Sequence, residues 1–247
     1  MLKTIEFYGR LLRVMLHVIH GLLQCGLIFP LVSREAKKAR VQLWSQQLLT
    51  IFRVRVKMNL TTLGSGTMVV ANHLSWLDIF VINSLSPCRF VAKSDIRSWP
   101  LLGWLAERAG TIYISRGSKA DVKRIYQYLI DEMAAGERIA FFPEGTTSLQ
   151  GQVLPFHANL FEAAIHAKVA IQPVALCYLD ERGELNSAIE FVGDMSFVAS
   201  MTQILQSGAV TVELHGLEPI PSTDVHRREL AVAAQKVIAN ALQASNA

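Results

Sequence analysis

Residues 67–78 read TMVVANHLSWLD: an apolar run followed by a histidine, His73, and by a carboxylate, Asp78, five positions later. The run at 67–71 is short and rich in β-branched residues, which predicts a buried strand that ends near the histidine. Along one continuous helix the two side chains would lie about 140° apart and would not meet. If a helix instead begins near Ser75, the turn folds the imidazole back over the first helical turn. Asp78 can then accept a hydrogen bond from one ring nitrogen, and the other nitrogen can act as a base on a hydroxyl.

The same segment also fits a structural role. Ser75-x-x-Asp78 matches a capping box, in which the carboxylate satisfies the start of a helix. A lone histidine near the end of a strand is often a structural residue as well. This segment alone therefore leaves the catalytic and the structural interpretations open.

Outward from this stretch, short apolar runs alternate with amphipathic segments. Strands are predicted at residues 53–60, 67–71, 89–93, 111–115, 138–142, 169–179, 187–192 and 210–217, and helices at 101–108, 119–135, 159–167 and 224–244. This alternation predicts an α/β fold with a mostly parallel sheet flanked by helices. Pro173 interrupts one apolar run, which predicts an edge strand or a kink. We expect residues 51–247 to form one such domain.

The N-terminal residues 1–50 are predicted to form a helical, membrane-associating segment. Residues 14–32 contain no Lys, Arg, Asp or Glu, and about 20 such residues are needed to span a bilayer. Polar residues nevertheless recur at helical spacing on one face, at His17, His20 and Gln24. We therefore expect first an interfacial or re-entrant anchoring helix, second a single span, and third a buried core helix.

Charge and composition favour a lipid partner. The chain is 51% apolar, and its first 60 residues carry ten Lys or Arg and two Glu although the net charge of the whole chain is +4. A basic end predicts an anionic partner. The cluster of Arg34, Lys37, Lys38 and Arg40 lacks interleaved stacking aromatics, so membrane lipids are expected and nucleic acid is not. Three well-separated cysteines favour a reduced compartment, and the basic cluster favours the cytoplasmic face of the inner membrane.

Other polar residues follow the ends of predicted strands. Phe142-Pro143-Glu144-Gly145-Thr146 comes directly after the strand at 138–142, at the edge where open α/β sheets bind ligands. Gly145 would let backbone N–H groups approach an anion, although a Pro-Glu-Gly turn is the simpler explanation. Arg116 and Lys93 each lie at the end of a strand, where they could bind a phosphate or simply be exposed.

Taken together and in this order, four blocks resemble the glycerolipid acyltransferase family, specifically the 1-acylglycerol-3-phosphate (lysophosphatidic acid) acyltransferases. The family's NHxSxxD block is matched by residues 72–78 and its Gly-to-Arg strand block by residues 110–116. Its FPEGT block is matched by residues 142–146, and its late proline block near Pro173. Four matches in register over residues 60–180 are far more specific than any one of them.

The resemblance implies a reaction and a set of residues. His73 would be the general base on the free hydroxyl of a lysolipid, oriented by Asp78, and the oxygen would attack the thioester of acyl-CoA or acyl-carrier protein. No acyl-enzyme, metal or further cofactor is implied. The residues expected to bind the acceptor headgroup are Lys93, Arg116, Glu144, Gly145 and Thr146.

Two departures from the family pattern leave the acceptor open. Thr147 stands where the family often has Arg, and His157 follows Pro155-Phe156 where Lys or Arg is frequent. The acceptor is therefore predicted to be 1-acylglycerol-3-phosphate or a less acidic lyso-aminolipid of the lyso-ornithine type. Two functions of other classes are alternatives. One is a lipase or thioesterase with Ser75 as nucleophile, against which no GxSxG elbow is present. The other is a non-enzymatic membrane-binding protein.

Overall fold

The computed structural model describes residues 2–59, 64–114 and 119–245 of the 247-residue chain. The strands are β1 (Val54–Asn59), β2 (Met68–Ala71), β3 (Arg89–Lys93), β4 (Ile112–Ile114), β5 (Ile139–Phe141), β6 (Ile171–Leu179) and β7 (Val210–Gly216). The α-helices are α1 (Leu2–Leu23), α2 (Arg34–Ile51), α3 (Leu77–Leu85), α4 (Leu102–Arg108), α5 (Lys119–Ala134), α6 (Phe161–Ala167), α7 (Phe197–Gln206) and α8 (Arg227–Ser245). A π-helical segment (Gln24–Ile28) and a 3-10 turn (Phe29–Leu31) extend α1, and further 3-10 turns lie at Ser94–Ser98 and Ser187–Ile189.

The strands form one seven-stranded sheet in the order β1-β7-β6-β2-β5-β3-β4. Every neighbouring pair is parallel except β6 and β7, which are antiparallel. The predicted mostly parallel sheet is therefore confirmed. Because β2, β5, β3 and β4 run in the same direction, the loops that follow them meet at one edge of the sheet.

Helices cover both faces of this sheet, and each face has its own hydrophobic core. Along β2 the side chains alternate: Val69 and Ala71 belong to one core, and Met68 and Val70 to the other. The first core includes residues of α1, α2, α3 and α7, and the second includes residues of α5, α6 and α8. The central strands β2, β5 and β6 are buried on both faces, as expected of a parallel sheet between helical layers.

The N-terminal helix α1 packs on this body along one face only. Arg10 and His17 are buried on the inner face, where Arg10 donates to the carbonyls of Ile51 and Leu205 and the His17 ring lies 4.4 Å from that of Trp44. The opposite face exposes a stripe of large apolar side chains: Ile5, Tyr8, Leu12, Met15, Leu16, Ile19, Leu23, Leu27 and Leu31. The helical stretch Thr4–Leu31 is long and apolar enough to cross a membrane by length and composition.

Two predictions about strands are wrong. Residues 187–192 form no strand, because Asn186 caps a 3-10 turn at Ser187–Ile189 through the backbone N–H of Ala188. Of the two explanations predicted for Pro173, the edge strand is wrong, since β6 is flanked by β2 and β7. The other, a kink, stays a prediction. Pairing of β6 with β7 begins at the next residue, Val174, and the Pro173 carbonyl accepts from Leu217 N. A residue without an N–H is tolerated where the ladder with β7 has not yet begun.

Candidate active site

His73 and Asp78 meet directly in the structure. His73 lies two residues beyond the end of β2, and its Nδ1 is 2.8 Å from Asp78 Oδ2. The chain turns between them and α3 begins at Leu77, so Asp78 lies in the first turn of that helix. The turn predicted from the spacing therefore brings the two side chains together, with the helix starting two residues later than expected.

The Asp78 carboxylate is fully buried and accepts from the surrounding backbone as well. Its Oδ2 also accepts from Leu74 N at 2.7 Å and from Ser75 N at 3.0 Å. The structural and catalytic interpretations of this segment are thus compatible, because one carboxylate both closes the turn and holds the imidazole. The Ser75 hydroxyl is buried and has no hydrogen-bond partner in the part of the chain that the structure describes. It therefore neither caps α3 nor pairs with His73.

The geometry fixes which nitrogen of His73 carries the proton. A carboxylate can only accept, so Nδ1–H donates to Asp78 and the neutral ring presents Nε2 as an acceptor. Nε2 makes no hydrogen bond to any described residue, and 18% of the side chain is exposed. The ring also stacks on Phe142, with 3.8 Å between centroids and 6° between planes. This constrained ring presents one basic nitrogen to the surface, which is the arrangement that proton abstraction from a hydroxyl needs.

Glu144 lies beneath His73 and not at the mouth of the site. It is 4% exposed, and its two oxygens accept from His73 N at 2.8 Å and from Leu154 N at 3.0 Å. Burial raises the pKa of Glu144, and the two backbone N–H donors oppose that shift. The carboxylate holds the His73 backbone in place. A headgroup contact by Glu144 would have to compete with these donors, and it stays a prediction.

The other predicted site residues are Gly145, Thr146, Lys93 and Arg116. Gly145 adopts φ +70°, a left-handed conformation that favours glycine, and follows Glu144 in the turn. Thr146 is exposed beside it, and Lys93 is exposed at the carboxyl end of β3. Arg116 lies outside the described residues, two positions beyond the end of β4. Headgroup binding by these four residues stays a prediction.

The two departures from the family pattern have structural counterparts. The Thr147 hydroxyl donates to the Phe191 carbonyl and so closes a loop. His157 is exposed and packs over Gly145, where a Cβ added to the glycine would be 3.2 Å from His157 Cδ2. Neither position adds a permanent positive charge next to His73.

Sequence reasoning missed three residues that position the pair. The Tyr178 hydroxyl on β6 donates to Asp78 Oδ1 at 2.7 Å, and Tyr178 is fully buried. Asn72 bridges to β6 through two hydrogen bonds with the backbone of Leu176, at 3.0 and 2.8 Å. Ser148 N donates to the His73 carbonyl at 2.8 Å. Asn72 could have been found from the sequence, because it is a polar residue directly after the predicted strand at 67–71. Tyr178 could not, because it lies 100 positions from Asp78 along the chain.

A large apolar cavity adjoins the site. It has a volume of about 230 Å³ and lies between the sheet and helices α1 to α4. Trp76 and Phe90 are among its lining residues, and the Phe90 ring lies 5.7 Å from that of Phe142, which stacks on His73. The rings of Phe90 and Phe142 thus link a wall of the cavity to the imidazole. We refer to it as the apolar cavity.

The three cysteines are buried thiols. Cys25, Cys88 and Cys177 are all free and buried. Burial raises the pKa of the Cys88 thiol to about 12 and that of Cys177 to about 11, so neither is a reactive thiolate at neutral pH. Within residues 2–59, 64–114 and 119–245, no three His, Cys, Asp or Glu side chains are grouped as metal ligands.

The family is decided by comparison with known proteins. A family model described as Acyltransferase matches residues 51–177, which begins just before β1 and includes His73, Asp78, Glu144 and Gly145. The chain belongs to the acyltransferase family. This confirms the predicted family and the prediction that the protein is an enzyme.

Relatives of this acyltransferase divide between two lysolipid acceptors. It is 37% identical over 199 residues to a "Lyso-ornithine lipid O-acyltransferase" of Pseudomonas aeruginosa, covering 81% of this chain and 76% of the relative. It is also 37% identical over 150 residues to a "1-acyl-sn-glycerol-3-phosphate acyltransferase" of Neisseria gonorrhoeae, covering 61% of this chain and 58% of that protein. Acyl transfer to a lysolipid is common to both names.

A solved structure has the same fold. The crystal structure of the 1-acyl-sn-glycerophosphate acyltransferase PlsC from Thermotoga maritima matches with a TM-score of 0.70, covering 100% of this chain and 95% of that one at 20% identity. The agreement extends over the N-terminal helices as well as the sheet. It confirms the predicted α/β architecture with an apolar N-terminal helix.

Proposed function

We propose that this acyltransferase moves a fatty acyl chain from a thioester donor to the free hydroxyl of a lysolipid, with His73 as the general base. The observation that carries this proposal is the 2.8 Å contact between His73 Nδ1 and Asp78, which leaves Nε2 free to accept a proton on a side chain that is 18% exposed. Asp78 orients the ring and stabilises its protonated form. Ser75 is not a credible nucleophile in this arrangement, because its hydroxyl is fully buried and has no bond to His73.

The proposed reaction needs one base and no covalent enzyme intermediate. Nε2 of His73 removes the proton of the acceptor hydroxyl as the oxygen attacks the thioester carbonyl. The new C–O ester bond forms, the C–S bond breaks, and the departing thiolate takes the proton from the imidazolium. The donor is acyl-CoA or acyl-carrier protein, because either supplies the thioester as a co-substrate.

The apolar cavity provides a place for the chain of the donor. Its walls are almost entirely aliphatic and aromatic, and it approaches His73 through Phe90 and Phe142. Each buried methylene contributes about 0.8 kcal/mol, so a long chain can position the thioester at His73 through contacts distant from the reacting atoms. The depth of the cavity would then limit the length of the acyl chain.

For the acceptor, we propose 1-acylglycerol-3-phosphate as the first candidate. Arg116 follows β4 and Lys93 ends β3, and both strands end at the edge of the sheet that carries His73. A phosphate headgroup suits two such cations. Lyso-ornithine lipid is the second candidate, favoured by a specific observation. Thr147 and His157 stand where further cations are frequent in the family. The Pseudomonas aeruginosa relative, which matches over more residues than the Neisseria gonorrhoeae relative, is named for that acceptor.

The N-terminal helix is proposed to hold the enzyme on the cytoplasmic face of the inner membrane. Its inner face is fixed to the body through Arg10 and His17, and its outer face exposes the apolar stripe. A helix that is packed on one side and apolar on the other is suited to lie within the interface, so that lipid substrates reach the site from the bilayer. The basic cluster at the start of α2 would contact anionic headgroups.

Purified enzyme tested against a panel of lysolipids decides the acceptor. 1-Acylglycerol-3-phosphate and lyso-ornithine lipid are each incubated with acyl-CoA and with acyl-carrier protein, and the product is identified by mass. Diacylated product from the glycerophosphate with either donor supports the first candidate. Product from lyso-ornithine lipid alone replaces it with the second, and the absence of product from both acceptors contradicts the proposed function. Arg116→Ala should raise KM for the phosphate acceptor far more than KM for the donor.

A further inference from the structure

A second cavity lies at the opposite edge of the sheet from His73. It has a volume of about 260 Å³ and forms where β3 begins at Arg89, α2 begins at Arg34 and α4 ends at Arg108. His73 instead follows the carboxyl end of β2, which runs in the same direction as β3. We refer to this second cavity, lined by Arg34, Lys37, Lys38, Arg89, Arg108 and Glu132 among others, as the basic cleft.

The basic cleft has more positive than negative charge. Glu132 neutralises part of it by accepting from Arg89 at 2.7 Å and from Arg34 at 3.3 Å, and Glu137 accepts from Lys38 at 2.8 Å. The remaining carboxylate, that of Glu107, pairs with Arg97 outside the cleft. Lys37 and Arg108 make no ion pair with any residue that the structure describes. Two cations facing one cleft without carboxylate partners favour an anionic ligand.

The basic cleft and the apolar cavity are adjacent. Val41, Cys88 and Ala109 line both, so the charged space and the apolar space meet at these side chains. Phe90 also lines the apolar cavity, and its ring lies 5.7 Å from that of Phe142, which stacks on His73. This arrangement therefore places a cationic opening beside an apolar interior that lies near the imidazole. Its polarity matches a molecule with a small anionic head and a single apolar chain.

We infer that the basic cleft binds the carboxylate of a long-chain fatty acid whose chain enters the apolar cavity from that end. Lys37 and Arg108 hold the carboxylate, and the chain passes Val41 and Ala109. A free fatty acid has the small head and single chain that this cleft and cavity can hold together. The inference rests on the proposed function in one respect: the chain occupies the space assigned to the donor's acyl chain, so the fatty acid competes with the donor.

Binding can be measured without acyl transfer. Trp44 and Trp99 line the apolar cavity, so their fluorescence reports its occupancy when dodecanoate is titrated below its micellar concentration. The double variant Lys37→Glu/Arg108→Glu should weaken dodecanoate binding at least tenfold. Dodecanol, which has the same chain and no charge, should bind both proteins equally. Lys236→Glu, an exposed charge reversal on α8, is the matched control and should bind dodecanoate as the wild type does.

Two further measurements separate this inference from the proposed function. His73→Ala should bind dodecanoate with unchanged affinity, whether or not that variant transfers acyl chains. Ala109→Phe, which fills the junction, should weaken dodecanoate binding while circular dichroism shows a folded protein. Equal dodecanoate affinity in wild type and the charge-reversed variant would overturn the inference, and so would dodecanol binding as tightly as dodecanoate. If dodecanoate inhibited acyl transfer without competing with the donor, the claim that the two chains occupy the same cavity would be contradicted.

Discussion

The hydroxyl of Tyr178 donates to Asp78 Oδ1 at 2.7 Å, and the same carboxylate accepts from His73 through its other oxygen. The three side chains thus form a chain of hydrogen bonds that runs from the buried Tyr178 on β6 to the imidazole, which is 18% exposed. Burial and the neighbouring carboxylate raise the pKa of Tyr178 well above its ordinary value, so the phenol keeps its proton and remains a donor. Tyr178 therefore positions Asp78, which in turn positions the base.

Removing only this hydroxyl should slow the reaction without preventing folding. Tyr178→Phe keeps the ring in the core and leaves Asp78 Oδ1 without a donor. A hydrogen bond to a charged group contributes about 1.5–3 kcal/mol, so we expect kcat to fall by about tenfold or more with little change in KM. Tyr126→Phe is the matched control, because that hydroxyl donates to Asn159 away from the site. Equal kcat values for the two variants would show that Tyr178 has only a structural role.

Glu144 should act through the backbone of His73. In Glu144→Gln one of the two oxygens becomes an NH₂ group, which cannot accept from the N–H of His73 or Leu154. We expect a loss of about 1–3 kcal/mol in the free energy of unfolding, together with a lower kcat. Glu190→Gln provides the comparison, since Glu190 accepts one backbone N–H, from Gln150. Denaturant unfolding and steady-state kinetics measure the two effects; if Glu144→Gln raised only the KM for the acceptor, a headgroup contact would be the better explanation.

The outer face of α1 should anchor the enzyme to membranes. Leu16 and Leu23 are 56% and 53% exposed, so Leu16→Glu/Leu23→Glu should leave the fold intact. Each leucine transferred into the bilayer contributes about 1.5–3 kcal/mol, so the double variant should bind anionic vesicles at least tenfold more weakly. Sedimentation with vesicles measures the partition. Val232→Glu, at an exposed apolar position on α8, should bind vesicles as the wild type does; loss of binding in both variants would point away from α1.

The apolar cavity should set the preferred chain length. Ala106 lines it, and Ala106→Phe reduces the space available to an acyl chain. Overfilling a packed apolar space costs about 1–3 kcal/mol, so the ratio of kcat/KM for long over short donors should fall about tenfold or more. Ala39→Phe, on the exposed side of α2, is the control. Competition between donors of different lengths, read by product mass, gives the ratio directly. An unchanged ratio would place the donor chain elsewhere.

The parts of this site that were predictable are local in sequence. His73 and Asp78 lie five positions apart, and a turn between strand and helix is the simplest way for that spacing to matter. Tyr178 gave no such signal, because a tyrosine in an apolar run resembles any core residue. The pairing of β6 with β2 in the sheet brings Tyr178 to Asp78. Contacts of this kind depend on strand order, which periodicity does not determine.

Errors in the predicted elements have similar origins. The apolar residues at 187–192 suggested a strand, but Asn186 caps a 3-10 turn there and Phe191 N donates to the Leu74 carbonyl near the site. Helix α7 was not predicted, although Ser196 accepts from Ala199 N as a regular N-cap. The missing N–H of Pro173 predicts an edge strand or a kink, and the strand order rules out the edge. For Pro173 the outcome depends on which strands flank β6 and on the residue at which each pairing begins.

Acyl transfer by the His73→Ala variant is the most direct test of the central proposal. The purified wild type and variant are compared for transfer from an acyl thioester to a lysolipid, with circular dichroism and vesicle binding confirming that both are folded and membrane-bound. Loss of the general base in His73→Ala should reduce kcat by about 10²–10⁴-fold. Asp78→Asn should also lower kcat, because it removes the carboxylate that orients the base. Turnover by His73→Ala at the wild-type rate would contradict the assignment of His73 as the catalytic base.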